Sequence, residues 1–461
     1  MDKTTKSAIL IFCLLGLIYL ITAKGFIEIS DTHFSILTAE SIIEKGSLAI
    51  DEHTGGYCFE SRDGKYYSKY GIGLAVIFIP FILASKLIAH ISAAPKEFIV
   101  NFLVSFYNIF FGAGAAAIFF RMLYKKFYVP LKTAVIMAFV LGLATMQWRY
   151  SIWTFSEVTQ GFFLILSVYL TLKNTKNSLL AAGTSYAFLI LIGTINLIYA
   201  PPFLVYIWLI NKENIKRAAA HGLIFLSFIL GAICFSLSLN YIRFHDIFEF
   251  GYGAEAGMFY LSGIKTNIPK LLYYLDKGIF IYNPILILSV IGYIKIFKDY
   301  RREAVFFVSI ILSNLIAISM WHMWYGGWCW GPRLLVPTIF LWLFPLYIFI
   351  SKKCLARYFA VILIFISIAI QILSVLSGNL EYHLICNGNN KEGLRKGMPA
   401  NIIGSAILLK HKLLKNDNLY KLSEFGIDSD TLIDTSASEC YRGLDFWYYY
   451  LGRVKKQDSF L

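Results

Sequence analysis

Residues 1–376 alternate between long apolar runs and short polar loops. A helix needs about 20 predominantly apolar residues to cross the hydrocarbon core of a bilayer. The pattern therefore predicts an all-α, polytopic membrane protein with about eleven transmembrane helices, twelve or thirteen being the alternatives. The predicted spans lie near residues 7–23, 98–120, 132–147, 158–172, 179–194, 196–210, 219–242, 278–296, 304–320, 333–350 and 357–376.

The loops between these runs are basic, and this predicts their side of the membrane. Because Lys and Arg concentrate in cytoplasmic loops, we expect the N-terminus to be cytoplasmic together with the basic loops 121–132, 173–176, 212–217, 295–302 and 352–357. Spans 7–23 and 98–120 already supply an even number of crossings before the first of these loops. The further apolar run 71–91 is therefore expected not to cross, and Pro80 favours a broken juxtamembrane helix there.

This topology places the longer polar segments on the outer side of the membrane, at residues 24–70, 243–277, 321–332 and 377–461. We expect a membrane domain at 1–376, with a first outward loop at 24–70 and a juxtamembrane segment at 71–91. The tail, 377–461, is predicted to be a small extracytoplasmic cap with a helix near residues 402–415.

Composition supports a membrane protein and argues against nucleic acid as a partner. The chain is 58% hydrophobic and 15% charged, whereas soluble domains carry roughly 25% charged residues. Its net charge of +14 comes from the basic loops, as the positive-inside rule requires. The cysteines show no metal-binding spacing, although Cys386 and Cys440 are a candidate disulfide pair.

The first outward loop carries the candidate catalytic residue. Asp31 stands where apolar residues begin to recur with helical period. Such an aspartate is either a helix N-cap or a general base fixed above the membrane surface, and the two roles are compatible. His33 beside it is a candidate substrate contact, or an ordinary hydrogen-bonding residue. Glu44 is expected to face water.

The same loop ends in DGKYYSKYGIGLAVIFIPF. Tyrosines and lysines at a membrane interface are usually anchors. Lys65 and Lys69 border the same loop as Asp31, however, so an anionic headgroup is a candidate ligand of both lysines. Tyr67 and Tyr70 are candidate substrate contacts for the same reason.

Later outward segments add weaker candidates. Glu249 and Glu255 lie in EFGYGAEAG, as substrate contacts or as solvated loop residues, and the glycines around them do not form a phosphate-binding fingerprint. In the tail, Asp428 and Asp430 have the spacing of a metal-binding DxD motif. A turn followed by a cap explains that pair more simply.

The stretch WHMWYGGWCWGPRLLVP contains the most unusual charge of the chain. Its tryptophans are typical of an interfacial belt, and Trp328 among them is a candidate substrate contact. Arg333 then opens an apolar span directly after a Gly-Pro pair. It either extends to the interface, where an arginine costs little, or binds a lipid phosphate through its planar fork of donors.

The ordered set AESIIEKGSL, DGKYYSKYGIGLAVIFIPF, KGIFIYNPILILSVIGY and WYGGWCWGPRLLVPTIFLWLFP resembles the integral-membrane glycosyltransferases of the GT-C superfamily. It is most similar to bacterial proteins that resemble protein O-mannosyltransferases and the lipid A aminoarabinose transferase. The resemblance covers roughly residues 1–376. It implies a GT-C-like fold and transfer of a hexosyl or pentosyl group from a polyprenyl-phosphate sugar to a lipid, glycan or protein acceptor, at the outer face of the cell membrane.

Carried over residue by residue, the resemblance implies that Asp31 is the base for the acceptor hydroxyl. It implies Arg333 as the contact to the donor phosphate, with Lys65 or Lys69 assisting. Where relatives often have a second acidic residue, this chain has Thr32-His33. We therefore expect no metal ion or other cofactor in the first loop, and a single displacement assisted by cationic side chains.

Two other functions fit parts of the pattern. A transporter or flippase of a lipid-linked sugar would also be polytopic, but transporters usually show internal repeats and charged residues at mid-membrane, and neither is visible here. A catalytically silent homologue that binds a lipid glycan is the third hypothesis. It would be favoured if Asp31 proved dispensable.

Overall fold

The computed structural model describes residues 2–51, 57–92, 94–351, 355–377 and 400–414, together with 382, 385, 419–421, 423, 432–434 and 447. Helices follow the apolar runs throughout these ranges. The first nine are α1 (Lys3–Thr22), α2 (Ser30–Lys45), α3 (Ile72–Ile91), α4 (Lys96–Val104), α5 (Tyr107–Lys126), α6 (Leu131–Leu143), α7 (Gln147–Ser151), α8 (Glu157–Thr171) and α9 (Lys176–Ile192).

The second half of the chain is also helical, but its helices are more often interrupted. They are α10 (Ala200–Asn211), α11 (Ile215–Phe244), α12 (Ser262–Tyr273), α13 (Ile279–Tyr282), α14 (Ile285–Asp299), α15 (Arg301–Met320), α16 (Ile339–Leu343), α17 (Tyr347–Ser351), α18 (Leu355–Leu376) and α19 (Asn401–Leu414). Four 3-10 helices lie at Thr194–Tyr199, Gly253–Gly257, Arg333–Thr338 and Phe344–Leu346.

Every predicted span coincides with one or two of these helices, except 333–350, which two α-helices and two 3-10 helices form together; this confirms a polytopic helical protein. Eight helical segments of the described chain are long and apolar enough to cross a membrane: Lys3–Thr22, Ile72–Ile91, Lys96–Lys126, Thr194–Asn211, Ile215–Phe244, Arg301–Met320, Arg333–Ser351 and Leu355–Leu376. Helices α6, α8 and α9 are apolar but shorter. The total of eleven crossings stays a prediction.

The prediction of a broken helix at 71–91 is wrong. Helix α3 is continuous over its 20 residues with Pro80 inside it. A proline inside a helix costs about 3 kcal/mol, but the opposite face of α3 buries Leu74, Phe78 and Ile82 against its neighbours. This burial offsets the lost hydrogen bond, and α3 is itself long and apolar enough to cross a membrane.

A small antiparallel sheet covers α2, which the all-α prediction did not include. Strands β1 (Ala49–Ile50), β2 (Cys58–Glu60) and β3 (Tyr66–Ser68) pair in the order β1-β3-β2. Phe34 of α2 packs beneath them with Ile50 and Cys58. The sheet thereby brings the residues that follow β3 back over the start of α2.

The main hydrophobic core joins α1, α5, α6 and the helices of the second half. Helices α5 and α7 pack closely at Gly112, which faces Ser151. A Cβ at position 112 would collide with the hydroxyl of Ser151, so only glycine fits there. Gln147 Nε2 also donates to the carbonyl of Gly112 at 3.3 Å. This close packing fixes the chain that leads from α7 to α8.

In the tail, α19 packs against α18 and lies where the sequence predicts a helix. Strands β4 (Leu419–Lys421) and β5 (Leu432–Asp434) form an antiparallel pair. The candidate disulfide pair Cys386 and Cys440, and the DxD motif Asp428–Asp430, lie outside the described residues.

Candidate functional site

Asp31 lies in the first turn of α2. The N-cap of α2 is Ile29, so the N-cap role considered for Asp31 is wrong. Its carboxylate instead accepts a hydrogen bond of 2.7 Å from Tyr70 Oη at Oδ1. Oδ2 lies 3.9 Å from Nη1 of Arg333, and about a third of the Asp31 side chain stays exposed. The carboxylate is therefore fixed on two sides and open on another.

Arg333 contacts Asp31 although it lies about 300 residues later in the chain. It opens the 3-10 helix Arg333–Thr338 after a loop in which Gly326, Gly327 and Gly331 have positive φ. A Cβ at Gly326 would lie 2.9 Å from Cγ of Arg333, so the glycine leaves room for the arginine stem. Lys277 fastens the same loop, donating to the carbonyl of Cys329 at 2.9 Å.

A second carboxylate, Glu157, faces the same guanidinium. Its Oε1 lies 3.5 Å from Nε of Arg333, and its side chain is only 6% exposed. The sequence pattern did not predict a second acidic residue in the site, because Glu157 begins α8 and lies far from the first loop along the chain. The signal was an acidic residue at the edge of an apolar run, since charges within membrane helices usually mark function.

The segment just before α8 holds these charges in place. Phe155 lies under Arg333, with the guanidinium carbon 4.1 Å from the ring centre. Asn108 donates to the carbonyls of Trp153 and Phe155 at 2.6 Å each. Thr32 of α2 donates to the carbonyl of Thr154 at 2.6 Å. These hydrogen bonds connect α2, α5 and the segment before α8, and so fix the residues on which Arg333 rests.

Lys69 lies on the other side of Tyr70, inside an aromatic cage. Its ammonium is 5.2 Å from the ring centre of Tyr252, 5.8 Å from that of Tyr57 and 6.0 Å from that of Tyr70. Glu255 closes the cage with an ion pair of 3.4 Å, and the Lys69 side chain is 10% exposed. Tyr70 thus separates a buried cation from the carboxylate of Asp31.

The backbone beside this cage is held from α11. Arg243 donates from Nη1 to the carbonyls of Ser68 and Tyr70 at 2.9 and 3.2 Å. The end of β3 is therefore tied to the membrane domain, which fixes both Lys69 and Tyr70.

The other predicted site residues lie apart from Asp31 or have local partners. Lys65 is 62% exposed and its ammonium is 4.0 Å from Asp63. Tyr67 donates to Asp63 at 3.0 Å, and Glu249 accepts from the backbone of its own loop, at Gly251. Trp328 is half-exposed. His33 lies on α2 with its ring edge-on to its neighbour Phe34.

The tyrosines around Lys69 and Asp31 keep their protons. Burial, reinforced by the charge of Asp31, raises the pKa of Tyr70 well above its usual range. Burial and the same carboxylate raise the pKa of Tyr252 to about 12. Both hydroxyls are therefore donors at neutral pH, and Tyr70 donates to Asp31 over the whole working range.

A second buried charge cluster, which the sequence pattern did not predict, lies around Arg149. Arg149 of α7 is 1% exposed, and its Nη2 lies 3.9 Å from Oε2 of Glu28. Its guanidinium stacks 4.1 Å from the ring centre of Trp153, which itself packs edge-on against Phe155. Two arginines thus flank one aromatic pair: Arg149 faces Glu28, whereas Arg333 faces Asp31 and Glu157.

Together these residues form a site with three functional parts. Asp31 is a fixed, partly open carboxylate that can accept a proton. Arg333 supplies a cation between two carboxylates, and Lys69 supplies a second cation beyond Tyr70. Such a combination suits chemistry in which a hydroxyl loses a proton while negative charge develops nearby.

No family model matches the chain, and no curated protein matches it in sequence. Solved structures are similar to it in fold. ArnT from Cupriavidus metallidurans, bound to undecaprenyl phosphate, is similar with a TM-score of 0.52 and 11% identity, over 88% of this chain and 69% of that chain. The archaeal oligosaccharyltransferase AglB from Archaeoglobus fulgidus, in complex with an inhibitory peptide and a dolichol-phosphate, has a TM-score of 0.52 and 10% identity, over 84% of this chain and 58% of that chain. The chain therefore shares the fold of these two proteins, and the eight long apolar helices of its described part make it an integral membrane protein.

Proposed function

We propose that this protein is a glycosyltransferase that moves a sugar from a polyprenyl-phosphate donor to an acceptor hydroxyl at the outer face of the cell membrane. The acceptor is a lipid, a glycan or a protein. The fold supports this proposal, since ArnT and AglB were both solved with a polyprenyl-type phosphate bound. The outward orientation of the site rests on the basic loops at the opposite ends of the helices.

The observation that carries the proposal is the arrangement of Asp31, Tyr70 and Lys69. Tyr70 contacts the base with its hydroxyl and the buried ammonium of Lys69 with its ring. A sugar above Tyr70 would therefore have a proton acceptor on one side and a cation for its phosphate on the other. This is the order of groups that a single displacement needs.

In the proposed reaction the acceptor oxygen attacks the anomeric carbon while Asp31 takes the hydroxyl proton. The bond between the anomeric carbon and the phosphate oxygen breaks, and its electron pair leaves with the polyprenyl phosphate. Lys69 is the phosphate contact that the geometry supports best, because Arg333 already faces two carboxylates and Lys65 points to water. An attack opposite the leaving phosphate would invert the anomeric configuration.

The test is transfer of label by the purified protein from a panel of radiolabelled polyprenyl-phosphate sugars to host membrane extract. We expect Asp31→Asn to lower kcat by roughly 10²- to 10⁴-fold, the usual contribution of a general base, while donor binding is retained. Asp51→Asn is the matched control, because Asp51 lies on the same loop with an 87% exposed side chain.

Full activity of Asp31→Asn would remove the assignment of the base. If the wild type transferred label from no donor but still bound one, the chain would be a silent lipid-glycan-binding protein. If it moved the intact donor across a vesicle membrane, the flippase hypothesis would replace the proposal.

A further inference from the structure

Arg333 is enclosed by negative charge to a degree that phosphate binding does not explain. Asp31 and Glu157 lie 3.9 and 3.5 Å from two different nitrogens of its guanidinium. Glu157 is buried, and its other oxygen, Oε2, has no hydrogen-bond partner among the described residues. Without a cation between them, two carboxylates that face one guanidinium would repel each other in a site of low dielectric constant.

A divalent metal ion is the usual alternative for such a pair, but the residues present do not fit one. A metal such as Mg²⁺ holds its oxygen ligands at about 2.0–2.1 Å in a nearly complete octahedron. Here the guanidinium fills the space between the carboxylates, and Phe155 covers one of its faces. Within the described ranges, no group of three or more His, Cys, Asp or Glu side chains could hold a metal.

The surrounding fold keeps the arginine in this position. Gly326 makes room for its stem, and Lys277 fixes the carbonyls of Gly327 and Cys329 in the preceding loop. An arginine that merely extended to the interface would need none of these contacts. The guanidinium is thus a structural part of the site.

We infer that Arg333 is the built-in cation of this site: it holds Asp31 and Glu157 together in the position a divalent metal ion would otherwise take, so that sugar transfer proceeds without a metal. Arg333 is then a positioning residue for the base Asp31. The inference rests on the proposed transferase function for its kinetic part, but its structural part can be measured independently.

The independent measurement is Mn²⁺ binding by the purified protein, followed by electron paramagnetic resonance. We expect no site-bound Mn²⁺ in the wild type and one bound ion in Arg333→Met, where no protein cation lies between the two carboxylates. The double variant Asp31→Asn/Arg333→Met is the matched control, and it should lose that ion. Arg333→Lys keeps a cation and should bind none. Thermal unfolding of each variant verifies that it is folded.

The kinetic measurement compares label transfer in EDTA and in added Mn²⁺. The wild type should be insensitive to both, whereas Arg333→Met should lose roughly 10²–10³-fold in kcat, as when one preorganised electrostatic group is removed, and recover part of this with Mn²⁺. If free guanidinium restored label transfer by Arg333→Ala, this would also support the inference.

Two results would overturn the inference. One is a wild type that loses activity in EDTA or binds Mn²⁺ through Asp31; the other is a folded Arg333→Met protein that binds no Mn²⁺. A wild type that transfers no sugar would end the proposed function instead, and the Mn²⁺ measurements would still decide the role of Arg333.

Discussion

Replacing Tyr70 by phenylalanine removes one hydroxyl and leaves the aromatic cage of Lys69 intact. The lost bond is the 2.7 Å hydrogen bond to Oδ1 of Asp31. The other oxygen of Asp31 lies 3.9 Å from Arg333, which is an ion-pair distance and too long for a hydrogen bond. Tyr70 therefore holds the carboxylate away from the guanidinium.

The size of the effect follows from this competition. A hydrogen bond to a charged group contributes about 1.5–3 kcal/mol, and each 1.36 kcal/mol is tenfold in rate. Without Tyr70 the carboxylate of Asp31 is free to close onto Arg333 as a bidentate pair, which occupies the oxygens that would accept the proton. We expect kcat of Tyr70→Phe to fall roughly 10- to 100-fold, with little change in the KM for donor.

The assay is steady-state label transfer at saturating acceptor, with Tyr66→Phe as control. Tyr66 lies on the same loop, and its hydroxyl contacts Glu60 at 3.3 Å, away from Asp31. Because its raised pKa keeps Tyr70 protonated as the pH rises, the ratio of the wild-type rate to the Tyr70→Phe rate should stay constant at alkaline pH. Equal rates for Tyr70→Phe and wild type would refute the role of Tyr70 in orienting the base.

Three further predictions concern the charges around the site. Lys69→Met should raise the KM for donor about tenfold or more, because a buried charged hydrogen-bonding group is lost, whereas the exposed Lys65 should tolerate the same change; equal effects would contradict the assignment. Glu255→Gln should lower the KM severalfold, since it frees Lys69, and a higher KM would show that Glu255 binds the substrate. Contact with Lys96 lowers the pKa of Glu44, so this pair should stabilise the fold above the unfolded-state pKa of glutamate and less as the pH falls below it. Thermal unfolding across that range should show a Tm for Lys96→Met that is slightly below the wild-type Tm at neutral pH only, and added salt should reduce this difference.

The helices could be predicted from the sequence because long apolar runs between basic loops allow few alternatives. Positions of α1, α11, α15 and α18 follow directly from that pattern. The three-stranded sheet could not be predicted, because its strands have two or three residues each and are too short for an alternating pattern. The expectation that Pro80 breaks α3 was wrong, because packing of the opposite helix face outweighs the cost of a proline inside the helix.

The site was predictable only where one residue is unusual in its own neighbourhood. Asp31 and Arg333 are charged residues at the ends of apolar segments, and both lie in the site. Their contact joins residues about 300 positions apart in the chain, and no local pattern encodes it. Glu157 is also unusual in its neighbourhood, as an acidic residue at the edge of an apolar run. Its place in the site depends on its contact with Arg333, which the sequence around Glu157 does not predict.

The balance of charge explains why donor binding and the cage of Lys69 should be linked. The side chains Asp31, Glu157 and Glu255 are acidic, whereas Arg333 and Lys69 are the basic partners that contact them. Arg333 is already matched by two carboxylates, so an incoming phosphate finds no unused positive charge there. Lys69 can offer its charge only when Glu255 withdraws, because a phosphate and a carboxylate beside one ammonium would leave an excess negative charge in a largely buried place. If the chain binds a polyprenyl-phosphate donor as proposed, we therefore expect its phosphate to displace Glu255 from Lys69.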